Sequence, residues 1–246
     1  QRCMNFQHLP TINSAQEYLD IVFKAARDAA NNVVTKTKSD VSRIRRKELT
    51  RIDVIKKKLG SSLAAILKSY PRFDELDEFY TELFKCYIDP DQYKKDLSKV
   101  RFAEKKVEEF ARRFSGMMKA TNDEKRVHEL SKEFYGRISS VVQRCDAPFK
   151  RLSGFRKQLR QFPDIKADCV NVCLFGFPNV GKSTLLSRLT SAKPKIASYA
   201  FTTQQINIGY EKIRSIKIQV MDTPGTLNRF QSMNDIEKMA HLVVTN

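Results

Sequence analysis

Gly176-Phe177-Pro178-Asn179-Val180-Gly181-Lys182-Ser183 fits the pattern G-x-x-x-x-G-K-[ST] at every position. A loop of this kind wraps a phosphate with successive backbone N–H groups. Gly176 and Gly181 permit the turns and the close approach that this requires. Lys182 supplies a cation between β- and γ-phosphates. Ser183, with Thr184 beside it, offers a hydroxyl to Mg²⁺, and the start of a following helix adds its partial positive charge. Two later stretches fit the same chemistry. Asp222-Thr223-Pro224-Gly225 follows an apolar run: an Asp there can hold Mg²⁺ through water, and the Gly225 N–H can bind a γ-phosphate. Between them lies Phe201-Thr202-Thr203, where a loop Thr can complete the metal shell only when a γ-phosphate is present, which makes a switch. The phosphate loop by itself leaves GTP and ATP both open.

These residues need a sheet to carry them. Cys169–Phe175 is a short apolar run that suits a buried strand, and residues 183–189 suit the helix after the loop. Ile206–Tyr210 and Ile216–Met221 predict two more strands. A short turn joins these two, so they should pair antiparallel at an edge of the sheet. Cys169–Phe175 should lie parallel to 216–221, because a helix must cross between them.

The chain before Phe162-Pro163-Asp164 predicts helices instead. Ser14-x-x-Glu17 is a capping box ahead of Leu19, Val22, Phe23 and Ala26. A long helix over 40–69 has its apolar face at Leu59, Leu63, Ile66, Leu67 and Tyr70. Gly60 should loosen it and Pro71 should stop it. A shorter helix carries Leu76, Tyr80, Leu83 and Tyr87. Asp89-Pro90 opens another, with Leu97, Val100, Ala103, Val107, Phe110, Phe114 and Met117 in step. Thr121-x-x-Glu124 reads as a second capping box, followed by Val127, Leu130, Phe134, Val141, Cys145 and Leu152, with Pro148 interrupting. The near-heptad stripes predict an antiparallel helical hairpin within a bundle, with Phe110, Phe114 and Phe134 in its core. The expected fold class is α + α/β: a basic helical bundle over 1–162, then the amino-terminal part of a P-loop nucleotide-binding domain over 163–246.

Composition narrows the partners. The 246 residues carry 45 Lys+Arg against 28 Asp+Glu, a net charge of +17. Residues 1–162 hold 35 of the basic and 22 of the acidic residues, so most of the excess lies in the bundle. Such a field favours polyanions, nucleic acid first. Arg43, Arg45, Arg46, Lys47, Arg51, Lys56, Lys57 and Lys58 are candidates to grip RNA phosphates. With no aromatic-rich sheet in the bundle, shape and backbone recognition is expected. No stretch reads as a membrane span or a signal peptide. Five Cys without a C-x-x-C pair and three scattered His suggest reduced thiols and no metal cluster.

Taken together, the loop motif, the Ala200–Thr203 stretch and the Asp222–Gly225 stretch resemble those of the Obg-related translation-factor GTPases. The helical region narrows the resemblance. Ser14–Val22, Val41–Arg45, Tyr70–Asp74 through Phe79-Tyr80, and Gln158–Ile165 are similar to the nucleolar GTP-binding (Nog) family, over nearly the whole chain. The resemblance implies a GTPase that acts in large-ribosomal-subunit assembly, with its helical domain docked on ribosomal RNA of the pre-ribosomal particle. It implies GTP as cofactor, Mg²⁺ on Ser183 and Thr203, γ-phosphate sensing at Thr203, Asp222 and Gly225, and K⁺ supported by Asn179. It implies no oligomeric state.

The pattern departs from many GTPases at Thr226, where a water-positioning Gln would stand. Slow intrinsic hydrolysis is therefore expected, and no catalytic base is assigned. No Asn-Lys-x-Asp occurs up to Asn246, which reads as part of a longer protein. An RNA-binding scaffold with an idle nucleotide site, and an ATPase of the same loop type, stand as the alternatives. Such a protein would work in the cytoplasm of an archaeon or the nucleolus of a eukaryote.

Overall fold

A computed structural model describes residues 6, 9–33, 39–76, 78–160, 169–174, 176–177, 179–190, 195–198 and 205–222. The chain divides into two compact units. One comprises Pro10–Tyr70 and Asp91–Gly154; the other comprises Gln1–Leu9, Pro71–Pro90 and Phe155–Asn246.

The first unit is helical. Helix α1 (Ala15–Asn31) opens on a complete capping box: Ser14 Oγ accepts from the Glu17 N–H, and Glu17 accepts from the Ser14 N–H. Helix α2 (Asp40–Ser69) runs unbroken through Gly60 and ends before Pro71. Its Ile55, Leu59, Leu63 and Ile66 are fully buried. The i, i+4 anchors on both sides hold the helix where the glycine alone would loosen it.

Helix α4 (Pro90–Ala120) begins with proline at its first position, where a missing N–H costs nothing. Residues 121–123 connect it to α5 (Glu124–Gln143), and the two meet where Phe114 and Phe134 pack 5.7 Å apart. Phe110, Phe114 and Phe134 are core side chains. The cap between these helices differs from expectation. Asp123 is the N-cap and accepts from the Lys125 N–H, while Thr121 Oγ1 accepts from the Asp123 N–H. Asp123 sits two residues nearer the helix and outcompetes the Thr121 box. Met118 and Val142, not Met117 and Val141, face the core. The chain breaks at Arg144-Cys145, and α6 (Asp146–Leu159) restarts with Pro148 in its first turn.

Buried polar groups tie the helices. Ser131 donates to Glu48 at 2.5 Å, joining α5 to α2. Phe23 of α1 meets the Tyr135 ring edge-on at 5.1 Å. Burial, followed by the Glu48 charge, pushes the Tyr135 hydroxyl up to about 12. Asp96 of α4 is fully buried and takes two hydrogen bonds of 2.7 Å from Arg151 of α6.

The second unit contains α3 (Glu78–Tyr87) and a four-stranded sheet. Its strands are β1 (Val170–Leu174), β2 (Lys195–Ser198), β3 (Gln205–Ile213) and β4 (Ile216–Asp222), with α7 (Lys182–Leu189) between β1 and β2. The spatial order is β1-β4-β3-β2. As expected, β1 runs parallel to β4, and β3 runs antiparallel to it. Strand β2 is not foreseen by the sequence reading; it takes the edge and leaves β3 internal among the described strands.

Strand β1 also differs, being half-exposed rather than buried: Val170 and Val172 lie open along the other edge. Its apolar run reflects parallel pairing, and on the described residues only β4 flanks it. At Gly209 a side chain has no room, since a Cβ would lie 2.4 Å from Thr190 Cγ2. That close approach seats the end of α7 on β3. Among the described residues no helix is long and apolar enough to cross a membrane.

Candidate nucleotide site

The register of the parallel pair builds the site. Leu174, the last residue of β1, pairs with Asp222, the last of β4. The phosphate loop leaves β1 there, so the loop and the Asp share one end of the sheet, where α/β sheets bind ligands. The loop backbone is left-handed at Asn179 (φ 61°) and at Gly181 (φ 91°). Asn tolerates this conformation and Gly adopts it freely. Gly181 is the N-cap of α7 and has no side chain to bond the first turn. Among the described residues no side chain caps the leading N–H groups of α7, an arrangement suited to an anion.

Lys182 folds its ammonium back over the loop, donating to the carbonyls of Gly176 (3.1 Å) and Phe177 (2.7 Å). Its charge therefore stands at the mouth of the loop. Phe177 and Val180 are exposed at the rim. Ser183 Oγ donates to Asp222 Oδ2, joining the helix start to the strand end. Asn207, directly opposite Asp222 on β3, places Nδ2 3.4 Å from the same oxygen. Asp222 is buried, and its Oδ1 has no hydrogen-bond partner among the described residues. A buried carboxylate oxygen without a partner is costly. A hydroxyl and a carboxylate at one spot are hard oxygen donors, which fit Mg²⁺. Among the described residues no three His, Cys, Asp or Glu gather to hold a metal. An ion here would draw on Ser183, Asp222, water and phosphate oxygens.

The structure thus brings together Gly176, Phe177, Asn179, Val180, Gly181, Lys182, Ser183, Thr184 and Asp222 at one end of the sheet. Pro178, Phe201, Thr202, Thr203 and Gly225 lie outside the described residues. Leu186 anchors α7 in the core, whereas Leu185 is exposed. Asn207 was not singled out from sequence, yet a signal existed. A two-residue turn at Arg214-Ser215 pairs Ile213 with Ile216, and counting back along the hairpin sets Asn207 against Asp222.

The basic candidates on α2 separate by their partners. Arg51 turns inward onto Glu48 at 2.5 Å. Arg45 binds the Thr121 carbonyl (2.9 Å) and Asn122 (3.1 Å), bracing the turn between α4 and α5. Arg43 pairs with Asp40, Lys56 with Glu108 and Lys57 with Asp53. Arg46, Lys47 and Lys58 make no ion pair among the described residues.

A glycine-turned loop between a parallel strand and a helix, with Lys at the mouth and Ser against a strand-end Asp, defines a P-loop nucleotide-binding protein. Comparison with known proteins carries this further. Residues 6–166 match the family model described as NOG1 N-terminal helical domain, and residues 171–245 match the one described as 50S ribosome-binding GTPase. The chain belongs to the NOG1 family and carries a GTPase domain.

Nucleolar GTP-binding protein 1 of Caenorhabditis elegans is 30% identical over 96% of this chain and 35% of its own length. The protein of the same name from Drosophila melanogaster is 28% identical over 96% of this chain and 36% of its own. A Methanocaldococcus jannaschii protein is 30% identical over 97% of this chain and 67% of its own. The chain spans about a third of the length of the nucleolar GTP-binding relatives it matches.

Proposed function

We propose that this chain is part of a GTP-switched factor for large-ribosomal-subunit assembly, whose basic helical unit docks on ribosomal RNA while its P-loop unit times that engagement. The Ser183–Asp222 junction beneath the loop carries the nucleotide reading. It sets a metal-binding hydroxyl and carboxylate at the point where the phosphates of a bound nucleotide would end. Ser183 and Asp222 would hold Mg²⁺, Lys182 would neutralise phosphate charge, and the amides of the loop and of the α7 N-terminus would fix the phosphates. The ion supplies Lewis-acid charge neutralisation during phosphoryl transfer. Thr203 and Gly225 are assigned to γ-phosphate sensing and Asn179 to K⁺, on resemblance. The names of the relatives support guanine as the base, and the match to a 50S ribosome-binding GTPase family supports a ribosomal partner. The working compartment is the nucleolus in a eukaryote or the cytoplasm in an archaeon.

Competition on the full-length protein tests the nucleotide. Unlabelled GTP should displace a fluorescent guanine nucleotide, and a hundred-fold excess of ATP should not. Equal displacement by ATP would make this a P-loop ATPase. Binding without turnover, even with large subunits added, would make it a scaffold with an idle site.

Salt titration tests the RNA partner. Each phosphate contact contributes a slope of roughly −0.9 in log affinity against log salt on a duplex, and about −0.7 on a single strand. Wild type should show a steep slope on structured RNA. Replacing the three unpaired cations Arg46, Lys47 and Lys58 with Ala should make it shallower by about 2. Helix content should hold, because Ala is the better helix former. A slope near zero in wild type would remove RNA docking from the proposal.

A further inference from the structure

Phe102 stands where α4 should be polar. The core side of α4 is Tyr93, Val100, Val107, Phe114 and Met118. At about 100° per residue, position 102 falls nearly opposite that face. Its side chain is 54% exposed, and no other large apolar residue of α4 is exposed. A single apolar residue on a surface is ordinary. The surroundings of this one are not.

Lys99 lies three residues before it, Lys95 seven before it, and Lys105 and Lys106 three and four after it. All of them project from the same side of the helix. Lys106 Nζ lies 5.7 Å from the centre of the Phe102 ring, within cation–π range, and also pairs with Glu109 at 2.7 Å. Lys95, Lys99 and Lys105 make no ion pair among the described residues.

An aromatic face framed by four cations, three of them without an ion pair among the described residues, matches a ligand with a flat ring and regularly spaced negative charge. Unpaired RNA has both features. Its bases offer π faces, and its phosphates recur at each nucleotide. Duplex RNA keeps its bases stacked inside. An acidic peptide would use the cations and leave the ring idle. A membrane surface would call for an apolar stripe, and α4 offers one ring.

We propose that Phe102 is a stacking post for an unpaired RNA base, with Lys95, Lys99, Lys105 and Lys106 holding the flanking phosphates. This rests on the reading of the helical unit as RNA-binding, and it adds base stacking to the shape and backbone recognition expected from the sequence.

The test uses the full-length protein, a fluorescent twelve-nucleotide single-stranded RNA and an RNA duplex of equal length. F102A should weaken single-strand binding at least about five-fold, the lower end of one lost stacking contact. Its salt slope should stay at the wild-type value, since no charge is removed. F102L should fall as far as F102A, because it keeps apolar area without a π face. F102Y should stay within about two-fold of wild type, since it keeps the π face. Duplex affinity should not change in any of them.

Single-strand affinity unchanged in F102A would overturn the proposal, while salt-dependent binding by every variant would leave the docking reading standing. F102L binding like wild type would also overturn it, marking the ring as an apolar contact for a protein. Wild type binding neither RNA at any salt would overturn both. Exposure of the side chain keeps the variants folded, which far-ultraviolet circular dichroism checks.

Discussion

Lys182→Ala in the full-length protein is expected to weaken nucleotide binding on the order of a hundred-fold or more, with the helical unit still folded. The ammonium stands at the loop mouth, held by the Gly176 and Phe177 carbonyls. Against phosphate it would make charge-assisted hydrogen bonds, each contributing roughly 1.5–3 kcal/mol. Two such bonds account for the expected loss. The variant should not unfold α7, since Ala suits a first helical turn and Leu186 remains buried beneath it. Lys182→Arg should rescue little, because a planar fork does not occupy the place of a compact ammonium. Calorimetric titration with GTP and with GDP measures the loss, and circular dichroism confirms the fold. Equal affinity in wild type and Lys182→Ala would end the phosphate-loop assignment.

That site was legible because each of its parts is local. The loop is eight consecutive residues, and the pairing of β1 and β3 on β4 follows from the lengths of their connections. The family resemblance rested on such stretches, and the family comparison agrees with it. The failures share a physical cause. Strand β2 is four residues long, too short for alternation to show. The Thr121 box lost to Asp123 because two capping groups compete within three residues. Met117 and Met118, like Val141 and Val142, are adjacent apolar residues, and only the packed neighbours decide which turns inward. The eight basic candidates on α2 looked alike in sequence. The fold distinguishes them through partners, some a turn away, as with Arg51 and Glu48, and some far along the chain, as with Arg45 and Thr121, 76 residues apart. Phe102 escaped notice because the cations around it matter only once the helix is wound.

The same contrast between local and distant partners governs the stability of the helical unit, where the largest single effect is expected at Arg151. Its guanidinium grips Asp96 with both arms at 2.7 Å, across 55 residues of sequence. Asp96 is fully buried, whereas the Arg151 side chain is 37% exposed. Removing the arginine leaves the carboxylate in the core with, among the described residues, only the Gln92 amide, 3.0 Å away. An uncompensated buried charge of this kind costs about 3–5 kcal/mol, and partial exposure of the lost partner favours the lower end.

Arg151→Met should therefore destabilise the unit by about 3 kcal/mol, read as a lower urea midpoint at unchanged slope. Arg151→Lys should fall between the two, keeping the charge and losing the fork. Combining Arg151→Met with Asp96→Leu should recover most of the loss, because the buried pair contributes mainly by preventing an unpaired charge. If the double variant were as unstable as the sum of its parts, shape at this junction rather than charge compensation would hold α4 against α6. If Arg151→Met unfolded at the wild-type midpoint, water would have to reach Asp96, and its burial could not be what the pair protects.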